Sequence, residues 1–148
     1  MAEGTVVTEQ HTATTPHSVY AAGCPTRQVL DRVADKWTTL ITGILREGPH
    51  RYGQIARAAE GVSPRVLSRT LRDLERDGLV HRRLLTASPP AVEYTLTPLG
   101  HGLEEIIAPL RDWAEGHLDD IRAARERFDE QVGQQDRTPW QRRKPMPW

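Results

Sequence analysis

Four arginines, Arg65, Arg69, Arg72 and Arg76, recur at a 4-3-4 spacing. At 100° per residue this spacing keeps them within about 60° of one another on a helix. Val66, Leu67, Thr70, Leu71 and Leu74 fall on the opposite half of the same stretch. A guanidinium stays charged at any physiological pH, and its planar fork of N–H donors fits a phosphate or a guanine edge two bonds at a time. The stripe would run roughly 16 Å at 1.5 Å per residue, on a rod that fits a DNA major groove about 12 Å wide. Its chemistry is therefore the binding of a polyanion. A solvated helix face is the other reading, with Asp73, Glu75 and Asp77 as partners one turn away.

The second reactive candidate is Cys24, the single cysteine. It cannot form an internal disulfide, which fits a reducing compartment, although a bridge between two copies stays open. Followed by Pro25, it is expected at the N-cap of a helix, where unpaired amides and the helix dipole favour the thiolate. That would make it a sensor for oxidants or electrophiles; packing as a small hydrophobe is the alternative. The six histidines, His11 and His17 among them, lack metal-ligand spacing, and neither a glycine-rich phosphate loop nor a Ser-His-Asp context occurs. We expect no metal, no cofactor and no enzymatic activity.

The elements that must position these residues can be read in order. Ser63 is an N-cap, Pro64 suits the first helical position and Gly78 is a left-handed stop, so the arginine stripe lies on a helix marked at both ends. Before it, Gln54 to Glu60 reads as a short helix with Ile55, Ala56 and Ala59 inward, joined by a Gly61-Val62 turn. Together they form a helix-turn-helix. Upstream, a helix from Cys24-Pro25 to Ala34 has Val29, Leu30 and Val33 as its apolar side. Asp35 caps a core helix with a buried stripe of Trp37, Leu40, Ile41, Ile44 and Leu45, stopped by Gly48-Pro49. His50 to Tyr52 reads as a brief strand.

Downstream, Leu79 to Leu85 and Ala91 to Leu96 are β-rich runs around a tip at Thr86 to Pro90, which is a two-stranded hairpin, or wing. Arg82 and Arg83 point to opposite faces of their strand, so one of them at most faces a DNA backbone. Thr97-Pro98 opens a long helix carrying Leu99, Leu103, Ile106, Leu110, Trp113, His117, Leu118 and Ile121, which Pro109 should kink or divide near Ala108. That stripe needs a cover, and a second copy of the chain is the simplest one.

A length of 148 residues suits one domain. The formal charge is zero, but its distribution is uneven. From Pro25 to Gly102 there are twelve Lys/Arg against eight Asp/Glu, and from Leu103 to Asp136 four against ten. Local field governs binding at a Debye length of about 10 Å, so a zero sum leaves nucleic acid open as a partner. No signal peptide or membrane-spanning run is present, and we expect a soluble cytoplasmic protein. Residues 1–23 read as a disordered extension, 24–128 as the folded domain and 129–148 as a flexible tail.

The ordered set Cys24-Pro25, Lys36-Trp37, Gly48-Pro49, Arg51-Tyr52, Gly61-Val62-Ser63-Pro64, Leu67, Leu71, Leu74-Glu75 and Asp77-Gly78-Leu79-Val80 resembles the HxlR-type winged helix-turn-helix transcriptional regulators. Pro90, Val92-Glu93-Tyr94, Leu96-Thr97 and Leu99-Gly100 continue the resemblance, which covers roughly Cys24 to Trp113. Gly53 departs from it, standing where the family often has a small hydroxyl or amide residue.

The resemblance implies a mainly α (α+β) fold and a homodimer on a palindromic double-stranded DNA operator, with the first and last helices as dimer interface. It places base or phosphate contact on Ser63, Arg65, Ser68, Arg69 and Arg72, and wing contact on Arg82 or Arg83. In some such proteins the cysteine of the Cys-Pro pair is a sensor, and a small-molecule or electrophile effector is implied. Two alternatives stand beside this reading: a winged-helix module whose arginine face meets an acidic protein, and a MarR-type ligand-responsive regulator.

Overall fold

A computed structural model describes residues 18–136. The elements are α1 (Thr26–Ala34), α2 (Lys36–Leu45), β1 (His50–Arg51), α3 (Tyr52–Ala58), α4 (Pro64–Arg76), β2 (Val80–Ala87), β3 (Pro90–Leu96), α5 (Pro98–Gly116) and α6 (Leu118–Asp136). Expectations for the first seventeen residues, and for the tail beyond Asp136, lie outside the described residues. The part of the expected extension nearest the domain is turned: Arg27 donates to the Val19 carbonyl (2.9 Å) and the Tyr20 carbonyl (3.2 Å).

The core gathers Ile41, Leu45, Ile55, Leu67, Leu71, Leu74, Val80, Tyr94 and Leu96. Asp35 caps α2 as expected, its carboxylate accepting from the Trp37 and Thr38 amides at 3.0 Å. The buried stripe of α2 is rotated from the expected one. Leu40 is exposed, while Thr38 and Thr42 are buried with Ile41 and Leu45. Hydropathy alone misplaces it: Thr42 offsets its burial by returning its hydroxyl to the Thr39 carbonyl (3.2 Å), while the Thr38 hydroxyl is buried without a hydrogen-bond partner among the described residues. Helix α3 starts two residues earlier than expected, at Tyr52. The Gln54 side chain, on its third residue, accepts from the Arg51 amide (2.8 Å) and fixes that start.

The sheet is three-stranded and antiparallel, in the order β1-β3-β2. The two hairpin strands extend further than the sequence suggests, leaving only Ser88 and Pro89 as the turn, with a register shift between Leu84 and Thr86.

The long C-terminal helix does not break at Pro109, which sits inside α5. A proline forfeits one backbone bond, but Arg111 in the turn after it binds Glu104 in the turn before it and donates to the Thr39 carbonyl of α2 (2.7 Å), and Ile107 between them is buried. The break falls at His117, after Gly116. The His117 ring stacks on Trp113 at 4.9 Å, and its Nδ1 lies 2.8 Å from the Trp113 carbonyl. Helix α6 then runs to Asp136, eight residues past the expected domain end at 128. Its Glu and Gln residues are good helix formers.

Candidate nucleic-acid interface

The interface is built on α4. The Ser63 hydroxyl accepts from the Val66 amide (3.2 Å), Pro64 fills the first turn, and Gly78 takes φ +73°. The Leu79 amide donates back to the Leu74 carbonyl (2.9 Å), closing the helix. Leu67, Thr70, Leu71 and Leu74 are buried, which turns Arg65, Ser68, Arg69, Arg72 and Arg76 to solvent.

The alternative in which Asp73, Glu75 and Asp77 pair with these arginines from one turn away is not seen: Glu75 has no ion pair among the described residues, and Asp73 and Asp77 are bound elsewhere. Both carboxylates are taken from another helix: Arg32 on α1 reaches Asp77 (2.9 Å) and Asp73 (3.1 Å). Those acids in turn hold the Arg32 guanidinium still more firmly protonated than usual, the hydrogen bond to Asp77 contributing most. Among the described residues, Arg65, Arg69 and Arg72 have no ion pair or hydrogen bond from their side chains, so the face of α4 is a row of free cations.

Two details escaped the sequence reading. Tyr52, the first residue of α3, donates its hydroxyl to the Pro64 carbonyl (3.0 Å) and lies 3.1 Å from the Ser68 hydroxyl. It pins the first turn of α4 to α3 and occupies one side of Ser68. Arg76, the last arginine of the stripe, lines a groove between α1 and α5. Neither follows from helical periodicity, because each depends on how one helix crosses another.

On the wing, Arg82 lies across from Tyr94 and Arg83 across from Glu93, on opposite faces as expected. Arg83 is bound to Glu93 (2.9 Å). Arg82 is exposed and, among the described residues, without such a partner. The free cation of the pair is Arg82.

Cys24 is not the N-cap residue of α1. Pro25 holds that position with helical dihedrals, and Thr26 is the first helical residue. The Cys24 carbonyl nonetheless accepts from the Arg27 amide (3.1 Å), so the first turn starts from it. The thiol is 8% exposed, with Sγ 3.3 Å from the Thr26 hydroxyl. Hydrogen bonding from that hydroxyl, then from the Thr26 backbone, outweighs burial and lowers the thiol below its ordinary value, with a smaller contribution from the Arg27 charge.

The far side of the domain is apolar and open. Val29 and Leu30 on α1 are exposed, as are Leu99, Ile106, Leu110 and Trp113 on α5. Among the described residues, no helix is long and apolar enough to cross a membrane.

Residues 32–122 match the model of the HxlR-like helix-turn-helix family. The chain belongs to that family. This membership favours the HxlR-type reading over the MarR-type alternative. The HTH-type transcriptional regulator YtfH of Escherichia coli (strain K12) is 42% identical over 109 residues, covering 74% of this chain and 86% of that one. The solved structure of the transcriptional regulator ytfH from Salmonella typhimurium superposes with a TM-score of 0.71 at 41% identity, over 74% of this chain and 98% of that one. The redox regulator HypR in its oxidised form gives 0.58 at 35% identity, over 63% and 96%. HxlR-like proteins of this kind are helix-turn-helix transcriptional regulators, and the winged fold described above is theirs.

Proposed function

We propose that this HxlR-like regulator binds double-stranded DNA sequence-specifically in the cytoplasm, as a homodimer on a palindromic operator. The observation that carries this reading is the exposed row Arg65, Arg69 and Arg72, with Asp73 and Asp77 beside it bound to Arg32. Helix α4 enters the major groove. Ser63, at the helix N-terminus, and Ser68 supply hydroxyl contacts, and the arginines take phosphates or guanine edges. On the wing, Arg82 meets the adjacent backbone, with Arg83 held back by Glu93. The open apolar faces of α1 and α5 meet their equivalents on a second copy and place two α4 helices about 34 Å apart, or a multiple of it.

A footprint on the DNA flanking the gene tests the reading. Two protected half-sites related by a dyad support it, and absence of protection at micromolar protein contradicts it. Light scattering should give twice the 16.7 kDa chain mass; a monomer at micromolar concentration would remove the dimer.

The lowered Cys24 thiol favours a second element, that oxidants or electrophiles act on DNA binding through Cys24. Its partial burial limits the reagents to small ones. Diamide should weaken binding by the wild type and leave Cys24→Ser unaffected; an equal loss in both would take Cys24 out of the mechanism.

A further inference from the structure

Helices α1 and α5 stand apart over Leu79 and leave an open groove of about 720 Å³. Val29 and Val33 line it from α1, and Leu99, Leu103 and Ile106 from α5. Gly102 adds to the width, since a Cβ there would meet nothing within 4 Å. The end of α4 contributes Arg76 and Asp77, beside Arg32. Arg32 is shared between Asp77 (2.9 Å) and Asp73 (3.1 Å). Arg76 has no ion pair or hydrogen bond from its side chain among the described residues. The groove thus combines apolar walls with one guanidinium that is unpaired among the described residues.

We propose that this groove binds a small amphipathic anion, a flat apolar body carrying one carboxylate. The body lies between α1 and α5, and the carboxylate takes Arg76 through paired N–H···O bonds. The volume lies within the roughly 300–1,000 Å³ typical of small-molecule sites. Val29, Leu99 and Ile106 of the groove's walls are exposed in the single chain. A carboxylate ligand answers both the cation and the walls. The proposal does not depend on DNA binding.

Calorimetric titration of the full chain with 2-naphthoate, and with its neutral analogue 2-naphthalenemethanol, tests it. Naphthoate should bind at one site per chain, with the alcohol about tenfold weaker or more. Arg76→Gln, a change at an exposed position, should reduce naphthoate affinity by about tenfold, roughly the loss of one charge-assisted contact. Arg69→Gln, on the same helix but outside the groove, should bind naphthoate like the wild type. Failure of naphthoate to bind at millimolar concentration would overturn the proposal. Equal binding of acid and alcohol, or equal losses in the two arginine variants, would equally overturn the proposal.

Discussion

The guanidinium of Arg32 on α1 lies 2.9 Å from the carboxylate of Asp77 at the end of α4. Helix α1 buries none of its residues within this chain, so this pair, with the companion bond to Asp73 (3.1 Å), fastens it to the arginine helix. The same guanidinium sets one positive charge against two carboxylates on the flank of the arginine face.

The pairs are partly exposed, so their contribution to stability is modest. A double-mutant cycle of Arg32→Ala and Asp77→Ala, followed by urea unfolding, should give a coupling of about 1 kcal/mol or less. Arg32→Ala should also weaken DNA binding by leaving Asp73 and Asp77 uncompensated, and Asp73→Asn/Asp77→Asn in that background should restore it. An Arg32→Ala protein that binds DNA like the wild type would mean the clamp has no bearing on the α4 face.

Gly100 sets how closely α5 approaches the start of β2. A Cβ at this position would stand 2.0 Å from the Leu79 carbonyl oxygen, and a backbone atom cannot step aside as a flexible side chain would. Gly100→Ala should cost about 3 kcal/mol, at the upper end for overpacking. Gly102→Ala, two residues on and with open space around it, should be neutral or gain about 0.5–1 kcal/mol from helix propensity. Thermal unfolding of the two variants should therefore move in different directions.

Glu104 is 3% exposed and is bound by Arg111, whose guanidinium also donates to the Thr39 carbonyl of α2 (2.7 Å). Arg111→Ala leaves a buried carboxylate without its counter-charge and should destabilise by about 3–5 kcal/mol. Glu104→Gln/Arg111→Ala should be less destabilised than Arg111→Ala, as measured by denaturant midpoint.

The hydrogen bond from Thr26 lowers the Cys24 thiol from its ordinary value of 9.0. A folded-state value below the unfolded one favours the folded thiolate. This stabilisation grows as pH rises from the lowered value towards 9.0 and is lost as pH falls back through it. Iodoacetamide alkylation should accordingly rise at a lower pH than for an unfolded peptide, and Thr26→Val should shift the profile upward. An unshifted profile in Thr26→Val would rule out the hydroxyl as the cause.

Much of this arrangement is legible in the sequence because it is local. The caps of α4 at Ser63 and Gly78, its arginine face and the Asp35 cap of α2 depend on residues within a few positions of one another, and periodicity finds them. What escaped depends on tertiary geometry. The partner of Asp77 is 45 residues away on α1, Tyr52 reaches Ser68 across a helix crossing, and Glu93 claims Arg83 through strand register. The helix break at His117 was missed for a different reason. Proline is a strong local signal, but packing on both sides of Pro109 overrides it, whereas a histidine capturing a carbonyl leaves no compositional mark.

The most direct measurement is the affinity for an operator duplex as a function of salt, for the wild type and for Arg69→Ala and Arg72→Ala. The cations assigned to the DNA face, Arg65, Arg69, Arg72 and Arg82, predict a steep fall of log K with log salt, about −0.9 for each phosphate neutralised. Each substitution should weaken binding and, where the arginine meets a phosphate, flatten that slope by about two phosphates per dimer. Binding by both variants with wild-type affinity and slope would contradict the assignment of α4 to the groove.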